Sequence, residues 1–221
     1  MTEAISQVSI LGTGKMGTAV GRRLAEAGVR VVYGSRAPQE NAEKYADLTN
    51  VSVVDYARAC TESDTVVIAV PWAHTLELLQ LHAGALSDKV IVDMTNPTSP
   101  DWSYLVTSGD NSAAELITGA SGSARVVKAF NGITADNFSQ PDFSGEPAQA
   151  FFCGNDDDAK ATVRQLIDLC GYRPVDCGSL EIARYLEPMA MLWVQMAFWE
   201  EWGSDFSFKL VGDAPELTAA P

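Results

Sequence analysis

The sequence predicts an α/β fold, a doubly wound and mainly parallel sheet with a small C-terminal α/β portion and a long apolar terminal helix. Three observations carry that expectation. Segments of strand and helix character alternate along most of the chain. Several strand candidates, such as "TVVIAV" and "KVIVDM", are continuous apolar runs rich in β-branched residues. Strands covered by helices on both faces read that way. A glycine-patterned turn, Gly12-Thr13-Gly14-Lys15-Met16-Gly17, joins the first strand to the first helix.

The elements follow in order. "QVSIL" is a strand, and "MGTAVGRRLAEAG" a helix in which Val20, Leu24 and Ala27 recur at helical spacing before Gly28 closes it. "VRVVYGS" is the second strand. "APQENAEKYADL" reads as a polar helix with Pro38 near its first turn. "VSVV" and "DYARACTES" give a short strand and helix, and "DTVVIAV" a buried strand ended by Pro71. "AHTLELLQLHAGAL" is helical and "DKVIVDM" is the fifth strand. A polar stretch with the helical piece "NSAAELIT" runs to about Gly122, and "ARVVKAF" is the sixth strand. "NGITADNF" looks like a short helix, followed by a loop to Pro147. "AQAFFCG", "DDDAKATVRQLIDLCG" and "YRPVDCG" form a strand, helix and strand. "SLEIARYLEPMAMLWVQMAFWEEW" is the long apolar helix, and a polar tail ends the chain. The expected organisation is a nucleotide-binding domain over 1–146, a C-terminal portion packed on it over 147–212, and a flexible tail over 213–221.

Composition narrows the functional classes. The chain has 221 residues, 47% hydrophobic, enough for one α/β domain with an appendage. Lys and Arg number 15 against 29 Asp and Glu, a net charge of −14. A surface this acidic repels phosphate backbones, so no nucleic-acid partner is expected. The first residues lack a basic signal-peptide region, and no apolar run reaches the roughly 18 residues of a membrane helix. Cys60, Cys153, Cys170 and Cys177 form no C-x-x-C pair and read as reduced thiols. A cytoplasmic location without membrane contact is expected. Two histidines and scattered thiols give no metal-ligand spacing, so no metal is expected.

The glycine turn stands where a Rossmann-type nucleotide site would have it, after a strand and at the start of a helix. Gly12 permits the tight turn, Gly14 lets the pyrophosphate approach the backbone, and Gly17 allows close helix–strand packing. The N–H groups from Thr13 to Gly17 and the helix dipole would hold the phosphates. At the end of the second strand stand Ser35 and Arg36 rather than an acid. An acid would accept from a plain ribose and repel a 2′-phosphate, whereas a guanidinium offers that phosphate a fork of donors. The pair therefore points to NADP(H) rather than NAD(H). Val70 and Pro71 follow the fourth strand and would line the adenosine or ribose. His74, one turn into the next helix, would meet a phosphate or ribose or simply face solvent, and His82 reads as a surface residue. Asn96 and Asn131 end strands five and six. They would face and orient the nicotinamide, or else serve the Asn-Pro and Asn-Gly turns they begin.

"ILGTGKMG…VVYGSR", "VIAVPWAH", "VDMTNP", "RVVKAFN", "FFCGNDDDAKATV" and "RPVDCGSLEIARYLEP", in that order, resemble the F-420-dependent NADP oxidoreductase family. They are similar also to the cytosolic reductase domain of the six-transmembrane prostate-antigen metalloreductases. The resemblance implies that Thr13, Lys15 and Met16 belong to the phosphate loop, and Ser35 and Arg36 to the 2′-phosphate site. It puts Val70, Pro71 and His74 at the adenosine ribose, and Ala129, Phe130 and Asn131 beside the nicotinamide. It also implies an NADP-dependent oxidoreductase that passes hydride to a small-molecule redox acceptor, coenzyme F-420 first, with FMN or FAD and a flavin or ferric reductase as the alternative. An NADP-binding redox sensor without turnover is the alternative of another class. Glu40 stands where such enzymes can carry a second cation. Hydride transfer needs aligned rings more than acid–base groups, so no general acid or base is expected. Lys128, Arg184 and Lys209 are the cations near enough to suggest charge for an anionic acceptor. The apolar terminal helix suggests core or a homodimer interface ahead of an acceptor wall.

Overall fold

The computed structural model describes residues 4–107, 109–143 and 145–212. The expected tail, 213–221, lies outside the described residues. The first half runs β1 (Gln7–Leu11), α1 (Lys15–Glu26), β2 (Arg30–Gly34), α2 (Pro38–Ala42), β3 (Val51–Val54), α3 (Tyr56–Glu62), β4 (Thr65–Ile68), α4 (Trp72–Leu81), α5 (Ala83–Leu86) and β5 (Val90–Asp93). Then come α6 (Ala113–Ser121), β6 (Val126–Ala129), a small hairpin of β7 (Asp142–Phe143) and β8 (Glu146–Pro147), β9 (Gln149–Gly154), α7 (Asp157–Leu169), β10 (Arg173–Asp176) and α8 (Ala183–Val194).

Eight strands form one sheet in the order β3-β2-β1-β4-β5-β6-β9-β10. The first six are parallel in the order of a dinucleotide-binding sheet. The chain winds outward from β1 to β3, then restarts at β4 on the other side of β1. That reversal opens a crevice beyond the carboxyl ends of β1 and β4. β9 runs antiparallel to β6, with Lys128 opposite Cys153, and β10 pairs parallel to β9. The C-terminal strands thus extend the same sheet.

The doubly wound arrangement follows from apolar cover on both faces. On one face Val20 and Leu24 of α1 and Val163 and Ile167 of α7 pack on the strands. On the other face lie Cys60 of α3, Leu79 of α4, Ile117 of α6 and Leu186 of α8. Helix starts are marked in the sequence. Asp55, Ser112 and Asp156 each accept a hydrogen bond from a first-turn N–H of α3, α6 and α7.

Several expected helices differ, and "AHTLELLQLHAGAL" divides at His82 into α4 and α5. The polar helix after Pro38 is only the five-residue α2 followed by a 3₁₀ turn, Glu43–Tyr45. Tyr45 is pinned there by stacking on Tyr33, with ring centroids 4.3 Å apart, and by Thr18 Oγ1 at 2.8 Å from its hydroxyl. The long apolar terminal helix is not one helix. A 3₁₀ turn (Leu180–Ile182) leads into the 12-residue α8, which widens into a π turn over Gln195–Trp199. Glu200 N then bonds Gln195 O at 3.0 Å, and Gly203, at φ +75°, ends the run. The chain turns back because Phe206 stacks on Trp193 at 5.1 Å and accepts from its indole N–H at 3.0 Å. Nor is the segment wholly apolar, since Glu187 of α8 is buried. "NGITADNF" forms only a 3₁₀ turn at Asp136–Phe138.

Candidate active site

The glycine turn sits at the crevice, and each glycine answers a different constraint. Gly12 has φ +120°, and a Cβ there would lie 2.5 Å from the Ala69 carbonyl beyond β4. A Cβ on Gly17 would lie 2.2 Å from Gly12 O, so α1 rests directly on the turn. Nothing stands within 4 Å of a Cβ built on Gly14, which is exposed. Gly14 is also the N-cap of α1 and supplies no capping side chain. The first turn of α1, through Lys15 and Met16, therefore keeps N–H donors and its positive dipole end for a ligand. Lys15 is exposed, Thr13 and Met16 half-buried. This is an open turn whose chemistry suits an anion.

Gly34 carries the end of β2 to the same crevice, its carbonyl accepting from Gly12 N at 3.0 Å. Ser35 follows and is buried. Its Oγ accepts from Ala37 N at 3.1 Å and from Asn41 Nδ2 at 2.9 Å, so its own proton remains to be donated. Arg36 is exposed and makes no ion pair with a described residue. Burial pushes the Tyr56 phenol up, and the Arg36 charge opposes that shift. A free guanidinium next to a serine with a proton to give suits a phosphate monoester. Glu40 lies in α2, exposed.

Val70 and Pro71 leave the end of β4, adjacent to the glycine turn. Val70 is buried and comes within 3.2 Å of the built Gly12 Cβ, whereas Pro71 is exposed as N-cap of α4. His74 is exposed in the first turn of α4. His82 is half-buried at the C-terminus of that helix.

Asn96 and Asn131 meet. Asn96 Nδ2 donates to Asn131 O at 2.8 Å, and Asn131 Nδ2 donates to Asn96 Oδ1 at 3.1 Å and to Leu186 O at 3.0 Å. The expected orienting amides are thus also each other's support, and their donors are turned toward the protein. Between Ala129, buried, and Asn131 lies Phe130 with φ +62°. A bulky residue holds that conformation only under enforcement by its surroundings. The buried Phe130 ring packs on Phe138 at 5.7 Å.

The expected cations fall elsewhere. Lys128 is fully buried and bound to Asp93 and Glu187, so it offers no charge to an acceptor. The strand "ARVVKAF" gives no sign of its burial, because its partners Asp93 and Glu187 lie far along the chain. Arg184 is engaged by Glu115, which its guanidinium holds well below the usual carboxylate range, and Lys209 by Glu146. Burial pulls the Lys128 ammonium down, but the two carboxylates outweigh it and the net shift is upward. Burial pushes the Glu187 carboxyl up against the opposing pull of Lys128. "VIVDM" and "ARYLEPM" hold the only sequence signal of this triad, acids set in apolar runs.

Residues 7–97, from β1 past β5, match the model of the family described as NADP oxidoreductase, coenzyme F420-dependent. The matched segment covers β1 to just past β5, and the chain is similar to that family there. Curated relatives extend the likeness beyond it. Metalloreductase STEAP3 of Rattus norvegicus is 32% identical over 84% of this chain, which spans 36% of that longer protein. The F420-dependent NADP reductase of Methanocaldococcus jannaschii is 27% identical over 84% of this chain and 90% of its own length. A solved structure from Arthrobacter sp. FB24, provisionally named an F420-dependent NADP-reductase, superposes with a TM-score of 0.84 at 27% identity, covering 93% of this chain and 99% of that one. The imine reductase of Myxococcus stipitatus, at 17% identity and a TM-score of 0.67, shares the fold. Among the described residues no helix is long and apolar enough to cross a membrane.

Proposed function

We propose that this chain binds NADPH in the crevice of β1, β2 and β4 and passes hydride to a flat tricyclic acceptor, a deazaflavin of the F420 type first and an ordinary flavin second. One observation carries the reading. The uncapped α1 N-terminus behind the open face of Gly14 and the end of β2 that carries Ser35 and Arg36 come together at one crevice, where Gly12 N donates to Gly34 O at 3.0 Å. A pyrophosphate would meet the first group and a 2′-phosphate the second, and Ser35 and Arg36 stand at the end of β2 where an acid would repel that phosphate. The match of residues 7–97 to the family model and the two groups of relatives support the choice of acceptor.

Bound there, NADPH supplies the hydride itself. The chain supplies position. Thr13, Lys15 and Met16 hold the pyrophosphate, Ser35 and Arg36 the 2′-phosphate, and Val70, Pro71 and His74 the adenosine ribose. Asn96 and Asn131, backed by Ala129 and Phe130, form the wall against which the nicotinamide end rests. No acid or base is required of the protein, because hydride transfer between stacked rings depends on alignment and exclusion of water. Stopped-flow oxidation of NADPH with deazaflavin, FMN and FAD tests the reading. Transfer of deuterium from C4-labelled NADPH into the reduced deazaflavin is the expected result. Tight NADPH binding with no acceptor reduced would replace the enzyme with a nucleotide sensor.

The reading includes a homodimer. Tyr185, Leu192 and Trp199 stand seven residues apart along α8 and its π turn and are 70%, 53% and 50% exposed. The spacing sets Tyr185 and Leu192 on one side of α8, with Trp199 exposed on the π turn beyond, and a second copy of the chain would cover them.

A further inference from the structure

Lys128 lies wholly inside the protein between two acids. Its ammonium is 2.8 Å from Asp93 Oδ2 and 2.9 Å from Glu187 Oε1, and it donates to Thr95 O at 2.5 Å. Those three contacts use all three of its protons. Burying one cation with two acids is costly, and apolar residues of similar volume hold elements together as well or better. Stability alone does not explain the arrangement. Geometry does.

The triad gathers every element at one end of the crevice. Asp93 ends β5, and its Oδ1 accepts from Thr95 N at 2.8 Å and Thr95 Oγ1 at 2.7 Å, shaping the turn that delivers Asn96. Lys128 sits in β6, two residues before the strained Phe130 and three before Asn131. Glu187 on α8 accepts from Ala113 N at 3.1 Å and Ala114 N at 3.4 Å, at the start of α6. Leu186, its neighbour, accepts from Asn131. Two consecutive residues of α8 are therefore tied to the ends of β5 and β6, one through charge and one through an amide.

We propose that Lys128, with Asp93 and Glu187, is a positioning residue for the nicotinamide end of the site. Shielded from any ligand, it acts through the Asn96–Asn131 pair and α8, which it holds in register. The inference rests on the nucleotide reading above and goes further by assigning the buried charge a task in the reaction.

The test compares NADPH with 2′-phospho-ADP-ribose, which keeps the adenosine and phosphates and lacks nicotinamide. Calorimetry measures both ligands on the wild type, on Lys128→Met, on Glu187→Gln and on the neutral triple Asp93→Asn, Lys128→Met, Glu187→Gln. The triple leaves no buried charge unpaired and stands in where Lys128→Met fails to fold. The wild type is expected to bind NADPH more tightly than the fragment. In each folded variant the fragment should keep its affinity within about twofold, while the advantage of NADPH shrinks by about fivefold or more and kcat falls more than KM rises. Variants that keep the full NADPH advantage overturn the proposal. So do losses of both ligands in step with stability, or a triple that does not fold, since each makes the triad merely structural. A wild type that binds both ligands equally also overturns it. A wild type that binds neither refutes the nucleotide reading itself.

Discussion

Asn96 and Asn131 hold each other through reciprocal hydrogen bonds, 2.8 Å from Asn96 Nδ2 to Asn131 O and 3.1 Å from Asn131 Nδ2 to Asn96 Oδ1. The pair closes the gap between the ends of β5 and β6. Its third bond, to Leu186 O, ties α8 to both. Asn131→Ala removes both donors of a buried amide and leaves Asn96 Oδ1 without that partner. Unfolding in urea should show a loss of about 1–3 kcal/mol. An unchanged midpoint would mean that the pair carries no weight in the fold.

The three glycines of the turn should separate fold from binding. Gly14→Ala places a methyl in open space at φ −75°, so the melting temperature should hold. The methyl stands where the phosphates approach, so NADPH affinity should drop about tenfold or more, or roughly 1.4 kcal/mol. Gly17→Ala drives a methyl to 2.2 Å from Gly12 O and should lower both stability and affinity. If Gly14→Ala binds NADPH like the wild type, the phosphates lie elsewhere.

Arg36 should set the preference for NADPH over NADH. Arg36→Ala removes a free guanidinium and should weaken NADPH by about 1.5–3 kcal/mol, the worth of hydrogen bonds to a charged group. NADH, without the 2′-phosphate, should be nearly unaffected. Equal losses for both nucleotides would sink the assignment. The effect should shrink as salt rises, because Arg36 is exposed.

What the sequence could show of this site depended on how local the cause is. Gly12, Gly14 and Gly17 are required by one turn and one helix start, so their spacing is visible in six residues. Ser35 and Arg36 are readable because the end of β2 has a known place in this topology. The reciprocal bonds of Asn96 and Asn131 are not readable, since Asn-Pro and Asn-Gly look like turn chemistry alone. The burial of Lys128 is hidden for a related reason. A lysine in "ARVVKAF" reads as a strand-end cation until β5 and α8 bring Asp93 and Glu187 to it. The break in the terminal helix is hidden for a different cause. Its apolar periodicity continues through Trp199, but Phe206 returns to stack on Trp193, and that contact breaks the run.

The thiols should divide by burial. Burial pushes Cys60 up to about 11, and Cys153 and Cys170 up to about 12. At pH 8 all three are protonated, and thiols react as thiolates. Cys177 is half-buried. Iodoacetamide on the native protein at pH 8 should therefore label Cys177 first, with the other three reacting only on denaturation. Peptide mapping after a timed pulse checks this, and early labelling of Cys60 would show that α3 opens in the native state.

The last prediction concerns the exposed stripe on α8. Tyr185 and Leu192 present large apolar side chains on one side of α8, whose other side is packed by Leu186, Ala190 and Trp193, and Trp199 is exposed on the π turn beyond. Phe198 and Trp202, 60% and 64% exposed, widen the stripe near its end. Single exposed apolar residues need no partner, but a contiguous row of them favours one. A second copy related by a two-fold axis would set the stripe against itself. Light scattering at micromolar concentration should then give twice the 23.7 kDa chain mass. Leu192→Glu places a charge at the centre of the stripe without touching the core, since Leu192 is 53% exposed. It should yield a folded monomer, with far-ultraviolet circular dichroism unchanged. A wild type that is monomeric at every accessible concentration removes the homodimer, and a Leu192→Glu variant that stays dimeric moves the interface off this helix.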